Sequence, residues 1–356
     1  MRTRLLKSLT GALALVMALM AFAAPVQAKD KFSLAWSIYV GWMPWDYAEK
    51  NGIVKKWADK YGIEIEVTRI NDYIESINQY TAGKFDACMM TNMDALTIPA
   101  AGGVDTTALI VGDFSNGNDT IIVKKGKTVK DLKGKKLNLV ELSVSHYALA
   151  RALDMNGMSE KDVTVINTSD ADMVSIYGTP EIEGVVTWNP MSGEIMQGKD
   201  ANLVFDSSSI PGEIIDMTMI NTEVMKKHPE FAKALVGAWY ETMALMSKDD
   251  AKAKDAKAAM GEASGTDLAG YEAQLKATKM FYDPAEAVEF VTSEALPKTM
   301  ELVATFSYDK GILGDGASSP EFIGVEFPGG KVYGDKGNIK LRYTDKFMKM
   351  AADGKL

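Results

Sequence analysis

Between Phe32 and Phe114 the chain alternates short apolar runs with longer stretches whose apolar residues recur every three or four positions. The runs "FSLAWS", "IEIEVTRI", "DACMMT" and "TTALIVGDF" have the length and composition of strands. Between them, "PWDYAEKNGIVKKWADKYG" has helical spacing, with Pro44 in its first turn and Gly52 as a break. "DYIESINQYTAGK" starts a helix from an Asp cap, and "NMDALTIPAAGG" reads as helix as far as Pro99. A β-α-β-α-β-α-β order predicts a mostly parallel sheet with crossover helices.

The alternation restarts after the polar stretch "GDFSNGNDT", with strands at "IIVKK", "LNLVEL", "VTVIN", "EGVVTWN" and "NLVFD". A helix over "SVSHYALARALDMNG" opens on serines and stops at Asn156-Gly157. A second polar stretch, "DSSSIPGE", precedes the strand "IIDMTMIN"; the chain is then chiefly helical from Thr222 to about Leu302, and its Gly- and Asp-rich tail has no clear period. Two short connectors around a middle α/β segment predict one lobe inserted into another. Lobe I comprises 29–115 with 212–356 and lobe II comprises 116–211. The strand ends of both then face one crevice, where open α/β sheets place ligands.

The first 28 residues stand apart from this pattern. A basic "MRTRLLKS", an apolar "LTGALALVMALMAFAAP" and small residues before Lys29 have the layout of an export signal, with cleavage expected after Ala28. Losing Arg2, Arg4 and Lys7 takes the net charge from -9 to -12. A chain so acidic, with no basic block, is not expected to bind nucleic acid. The lone cysteine, Cys88, lies in an apolar run and reads as core. With only His146 and His228 as histidines, and no H-E-x-x-H, G-x-S-x-G or C-x-x-C, no enzyme, metal or cofactor is expected.

Five segments in order give the chain a family resemblance: "YVGWMPWDYAEKNGI", "YTAGKFDACMMTNMDAL", "TVKDLKGKKLNLV", "EGVVTWNP" and "NTEVMKKHPEFAKALVGAWYE". The chain resembles the periplasmic solute-binding proteins of ABC importers, in the nitrate/sulfonate/taurine-type family. The resemblance implies an α/β chain with the type II periplasmic binding protein fold, two lobes joined by a two-stranded hinge. It further implies a periplasmic monomer that closes on a small solute and presents it to a permease in the inner membrane. More narrowly, "WSIYVGWMPWDYAEK" and "DACMMTNMDAL" resemble the branch encoded beside urea carboxylase-type enzymes, which implies urea or guanidine as solute.

The resemblance places ligand loops at 36–47, 90–95, 112–119, 141–147, 187–193 and 206–216. These windows hold no lysine or arginine, where average usage gives about five. They do hold Asp46, Asp94, Asp113, Asp119, Glu141, Asp206, Glu213 and Asp216. The expected solute is therefore a planar cation or neutral nitrogen compound, guanidine or urea. The alternatives within the family are a sulfonate such as taurine, nitrate or a pyrimidine precursor.

The candidate binding residues are Tyr39, Trp42, Thr91, Asn92, Asp94, Glu141, Ser143, Ser145, His146, Trp188, Asn189 and Asp216. Tyr39, Trp42 and Trp188 offer ring faces, and Asp94 and Glu141 offer edge acceptors. The residues themselves leave other roles open. Trp36, Trp45 and Trp57 read as core, Trp188-Asn189-Pro190 also as hinge packing, and Asp94 with Asn92 also as a helix cap. Ser143, Ser145 and His146 also read as caps, Glu141 as a surface charge, and Asp113 as a shaper of the linker.

Overall fold

Each apolar run in the first third of the chain forms a strand in this computed structural model: β1 (Lys31–Trp36), β2 (Glu64–Arg69), β3 (Ala87–Thr91) and β4 (Thr106–Ser115). The structure describes residues 29–356, so the expected export signal lies outside the described residues. Helices Met43–Lys50 and Ile53–Tyr61 connect β1 to β2, and Tyr73–Thr81 connects β2 to β3. Gly52 separates the first two, in the left-handed region at φ 71° that glycine enters without a Cβ clash. Asp72 caps the third, accepting from the Glu75 N–H at 2.9 Å.

Two expectations are corrected here. The segment after β3 does not stop at Pro99: helix Asn92–Ala95 runs on as a wider π turn, Leu96–Ala100, which takes the proline inside it. Nor is the first sheet mostly parallel. β1 pairs in parallel with β2 and β3, but β10 (Ile215–Asn221) inserts antiparallel between β3 and β4. The chain leaves this sheet at the end of β4 and returns at the same edge, so the returning strand must run the other way.

The second sheet holds β5 (Thr120–Val123), β6 (Lys136–Leu139), β7 (Thr164–Asn167), β8 (Gly184–Thr187) and β9 (Asn202–Asp206), in the order β7-β6-β8-β5-β9. After β10 come β11 (Thr278–Met280), β12 (Gly324–Phe327), β13 (Lys331–Tyr333) and β14 (Ile339–Tyr343). They complete a first sheet of nine strands, ordered β13-β12-β14-β4-β10-β3-β1-β2 with β11 on β4. The unreadable tail thus supplies three short strands beyond β4, of which β13 is the edge, and a last helix, Lys346–Ala352.

Only two connections join the sheets, and hydrogen bonds tie them together. Ser115 and Ser207 share a hydroxyl bond of 2.6 Å, and the Gly117 N–H donates to Ser207 Oγ at 2.7 Å. The facing edges also touch directly. Val40 N–H donates to the Asn189 carbonyl at 3.2 Å and Trp188 Nε1–H to the Ile38 carbonyl at 3.1 Å. Tyr73 N–H donates to Asp170 Oδ1 at 3.1 Å, Ser169 to Asp72 at 2.7 Å, and Lys310 pairs with Glu160. The cleft is closed.

Behind the first sheet, helix Pro229–Met246 packs on helix Ile53–Tyr61 at Gly237, where any Cβ would overlap the Trp57 ring. That ring is anchored by its Nε1–H bond to Glu241 at 2.7 Å. Overpacking costs about 1–3 kcal/mol and outweighs the ~1 kcal/mol helix-propensity gain of glycine to alanine. Gly237→Ala should therefore lower the urea midpoint with an unchanged slope. A raised midpoint would show that Trp57 moves aside freely.

Candidate functional site

The carboxyl ends of β1 and β3, the amino end of β10 and the loops of the second sheet converge on one cavity. Tyr39, Trp42, Tyr73, Thr91, Asp119, Val144, Trp188, Ile214 and Asp216 line it. It has room for the centre of a water-sized sphere over about 10 Å³, about what one water needs. The closed cleft thus leaves only a small space.

One wall is aromatic. Tyr39 and Trp42 meet edge to face with centroids 5.2 Å apart, Trp42 and Tyr73 lie 5.6 Å apart, and Tyr73 meets Trp188 edge-on at 5.6 Å. Trp188 comes from the second sheet and the other three from the first, so the wall exists only when the halves meet. The Trp42 Nε1–H, buried here, has no partner among the described residues.

The remaining polar groups are chiefly carboxyls. Asp119 and Asp216 line the cavity; Asp94 and Asp113 stand one layer behind, all four buried. Asp94 Oδ2 accepts from the Tyr73 hydroxyl at 2.7 Å and from Thr91 at 2.9 Å, and its Oδ1 has no partner. Asp113 Oδ1 accepts from the Tyr39 hydroxyl at 3.0 Å, while Asp113 Oδ2 and Asp216 Oδ2 have no donor. Among the described residues, no lysine or arginine lines the cavity. Arg151 is held by Glu213 and Arg342 by Asp105 and Glu326, while Arg69 lies over Trp36.

Burial against charge is visible in each carboxyl's acidity. Burial pushes Asp94 and Asp119 up to about 6. It holds Asp113 and Asp216 above the usual carboxylate range, the neighbouring negative charges adding to the effect. Burial and the Asp113 charge likewise raise the Tyr39 phenol.

Of the residues expected from the sequence, Tyr39, Trp42, Thr91, Trp188 and Asp216 come together on the cavity, with Asp94 immediately behind Thr91 and Tyr73. The others do not line it. Glu141 is exposed over a separate surface hollow, because β6 ends at Leu139 and the turn carries it outward. Asn92 braces the start of β10, accepting from Ile215 N–H at 3.0 Å and donating to the Glu213 carbonyl at 3.0 Å. Ser143 is the cap of helix Val144–Met155, accepting from Ser145 N–H at 3.2 Å. Ser145 lies buried within that helix.

His146 Nδ1 accepts from Leu142 N–H at 3.0 Å, and its other nitrogen meets Glu160. Burial lowers its pKa to about 4, so it is a neutral brace for the left-handed Leu142. Asn189 accepts from the Ser192 hydroxyl at 2.9 Å and fastens the seam through its carbonyl.

The profile of the NMT1-like family matches residues 35–260. The chain belongs to the NMT1-like family. A Brucella abortus protein named as a binding protein is 26% identical to it over 182 residues, 50% of this chain and 56% of that one. The taurine-binding periplasmic protein of Escherichia coli is 24% identical over 143 residues, 39% of this chain and 44% of that one. The chain spans about half the length of the curated relatives it matches. Among solved structures, the alkanesulfonate-binding protein of Xanthomonas axonopodis pv. citri, bound to MOPS, superposes with a TM-score of 0.66. At 16% identity, that match covers 82% of this chain and 96% of the other. The fold of this NMT1-like chain is that of the periplasmic binding proteins, two sheets with helices around them.

The carboxyls give this family member a distinctive pH dependence. Asp119 has a native pKa of about 6 against about 3.9 when unfolded. The native state holds the proton more tightly, so Asp119 costs stability increasingly as pH rises from about 4 through 6. Ligand-free Asp119→Asn should therefore melt higher than the native chain at pH 8, by on the order of 2 kcal/mol of stability. The two should converge near pH 4.5. Equal melting at pH 8 would mean that Asp119 is not an uncompensated charge.

Proposed function

We propose that this chain is the solute-binding component of an ABC importer, acting as a monomer outside the inner membrane, and that its cavity takes a small planar cation of the guanidinium class. Among the described residues no helix is long and apolar enough to cross a membrane, which is compatible with that place. The observation that carries the reading is the pairing of an aromatic wall with Asp119 and Asp216 where no base is present.

Guanidinium is flat, with N–H donors around its rim. Carboxylates answer the rim, and a desolvated ring face contributes roughly 2 kcal/mol or more. Neutral urea makes similar rim contacts but draws less from the charges. The relatives named for taurine and alkanesulfonate favour a second reading, an anionic solute. Two features weigh against it here. A unit negative charge ~4 Å from a carboxylate is repelled by about 4 kcal/mol at an effective dielectric of ~20, half of the ~8 kcal/mol in a micromolar complex. The helix start beside the cavity is also partly used: Ser145 N–H serves the Ser143 cap.

Relatives named as binding proteins support a role of capture without turnover. Calorimetry on the mature protein with guanidinium, methylguanidinium, urea, taurine and nitrate separates the readings. Guanidinium, at sub-denaturing concentration, should bind one to one without product. Asp216→Asn should weaken it at least tenfold and change any urea binding much less. Binding of taurine or nitrate without guanidinium would overturn the cation reading and leave the importer role standing.

A further inference from the structure

Asp113 does not line the cavity, yet it sits directly behind the residue that does. It faces Asp216 across the β4–β10 pair, where a register shift follows Asp216. Cross-strand partners point their side chains to the same face of a sheet, and Oδ2 of each carboxyl is buried with no donor among the described residues. An ionised carboxylate only accepts, so two buried carboxyls side by side without a donor are satisfied when one proton lies between them.

Everything packed around that pair enforces the same state. Tyr39 donates to Asp113 from the segment after β1, and Asn118 Nδ2 stands behind Tyr39 at 3.4 Å. Asp119 adds a negative charge from the first connection, and Asp94 acts on Asp119 in turn. Burial, with the Asp113 charge adding to it, raises the phenols of Tyr271 on helix Leu268–Leu275 and of Tyr282 beyond β11. None of these groups carries a positive charge. Gly41 closes the remaining side: a Cβ there would stand 2.6 Å from Asp113 Oδ2, so no side chain or water layer intervenes.

We infer that Asp113 is a positioning residue that sets the charge of the site: it shares one proton with Asp216 in the empty cleft, and the pair releases that proton to solvent when a cation docks against Asp216. This rests on the cation reading of the cavity. The exchange balances, one positive charge entering as one proton leaves, and the burial that favours the protonated pair is offset by the arriving cation. A neutral solute offers no such compensation and leaves the proton in place. The pair thereby discriminates by charge without touching the solute.

The test is calorimetry of guanidinium binding in two buffers of different ionisation enthalpy, repeated from pH 5.5 to 8. The native chain should release close to one proton near neutrality, and its affinity should fall nearly tenfold for each pH unit below that. Asp113→Asn supplies an N–H donor to Asp216 with no proton to lose, so its release and pH slope should both collapse, which a merely structural role would not produce. Guanidinium binding to the native chain with no proton release overturns the exchange and leaves the cation reading intact; this outcome needs no variant. Release that persists in Asp113→Asn moves the source to Asp119 or Asp94 and also overturns it. Failure to bind guanidinium while taurine binds overturns the cation reading and the exchange together.

Discussion

The constraint on which this structure turns is the burial of Asp94, Asp113, Asp119 and Asp216 at one junction, with no cavity-lining base to answer them. Isolated charges in a low-dielectric interior are costly, and proteins escape by pairing them, protonating them or leaving them hydrated. Asp94 is partly answered by Tyr73 and Thr91. Asp113 and Asp216 stand as cross-strand partners, each with one oxygen buried and without a donor among the described residues. Asp119 donates its backbone N–H to Ser115 Oγ, and the residue lines the cavity. Such an arrangement would be selected against in a plain core, so it points to a partner that arrives from outside.

The path of the chain explains why these residues meet. β4 carries Asp113 at its end, the first connection carries Asp119, and β10 brings Asp216 back between β3 and β4. An uninterrupted parallel sheet would keep β3 and β4 adjacent and leave no place for Asp216. The same return places Asp216 opposite Thr91 as well as Asp113, tying the carboxyl cluster to the Thr91–Asp94 cap. The hinge serine pair, Ser115 and Ser207, lies within a few residues of this cluster, so the site and the hinge are built from the same stretch of chain.

Much of this was legible in the sequence because strand runs, caps and breakers are local signals. Gly52, Asp72, Ser143 and Asn156-Gly157 act where capping chemistry puts them. The antiparallel insertion of β10 was not legible, since strand order depends on contacts between distant residues. Tyr39, Trp42 and Trp188 stood out as aromatics at strand ends. Tyr73 did not, because a tyrosine at the first turn of an amphipathic helix has the same pattern whether it meets core or cavity. Glu141 and Asp119 show the converse limit: both are acids in expected loops, and only the tertiary turn decides that one points to water and the other inward. The absence of lysine and arginine survived this reshuffling, because it was a property of all six windows rather than of any one residue.

The closed cleft and its charges are also physically linked. Opening the seam breaks the bonds of Val40 to Asn189, Trp188 to Ile38 and Tyr73 to Asp170, and it returns Asp119 and Asp216 to water. Closing an empty cleft recovers those bonds but strips water from two carboxyls that gain no cation. A solute shifts the balance toward closure only by its differential affinity for the closed state. On the cation reading, that difference is supplied where the desolvation cost is greatest, at Asp119 and Asp216, while Trp188 completes the ring wall only in the closed form. The seam hydrogen bonds then define the geometry of closure, and the uncompensated carboxyls determine that closure waits for the right charge.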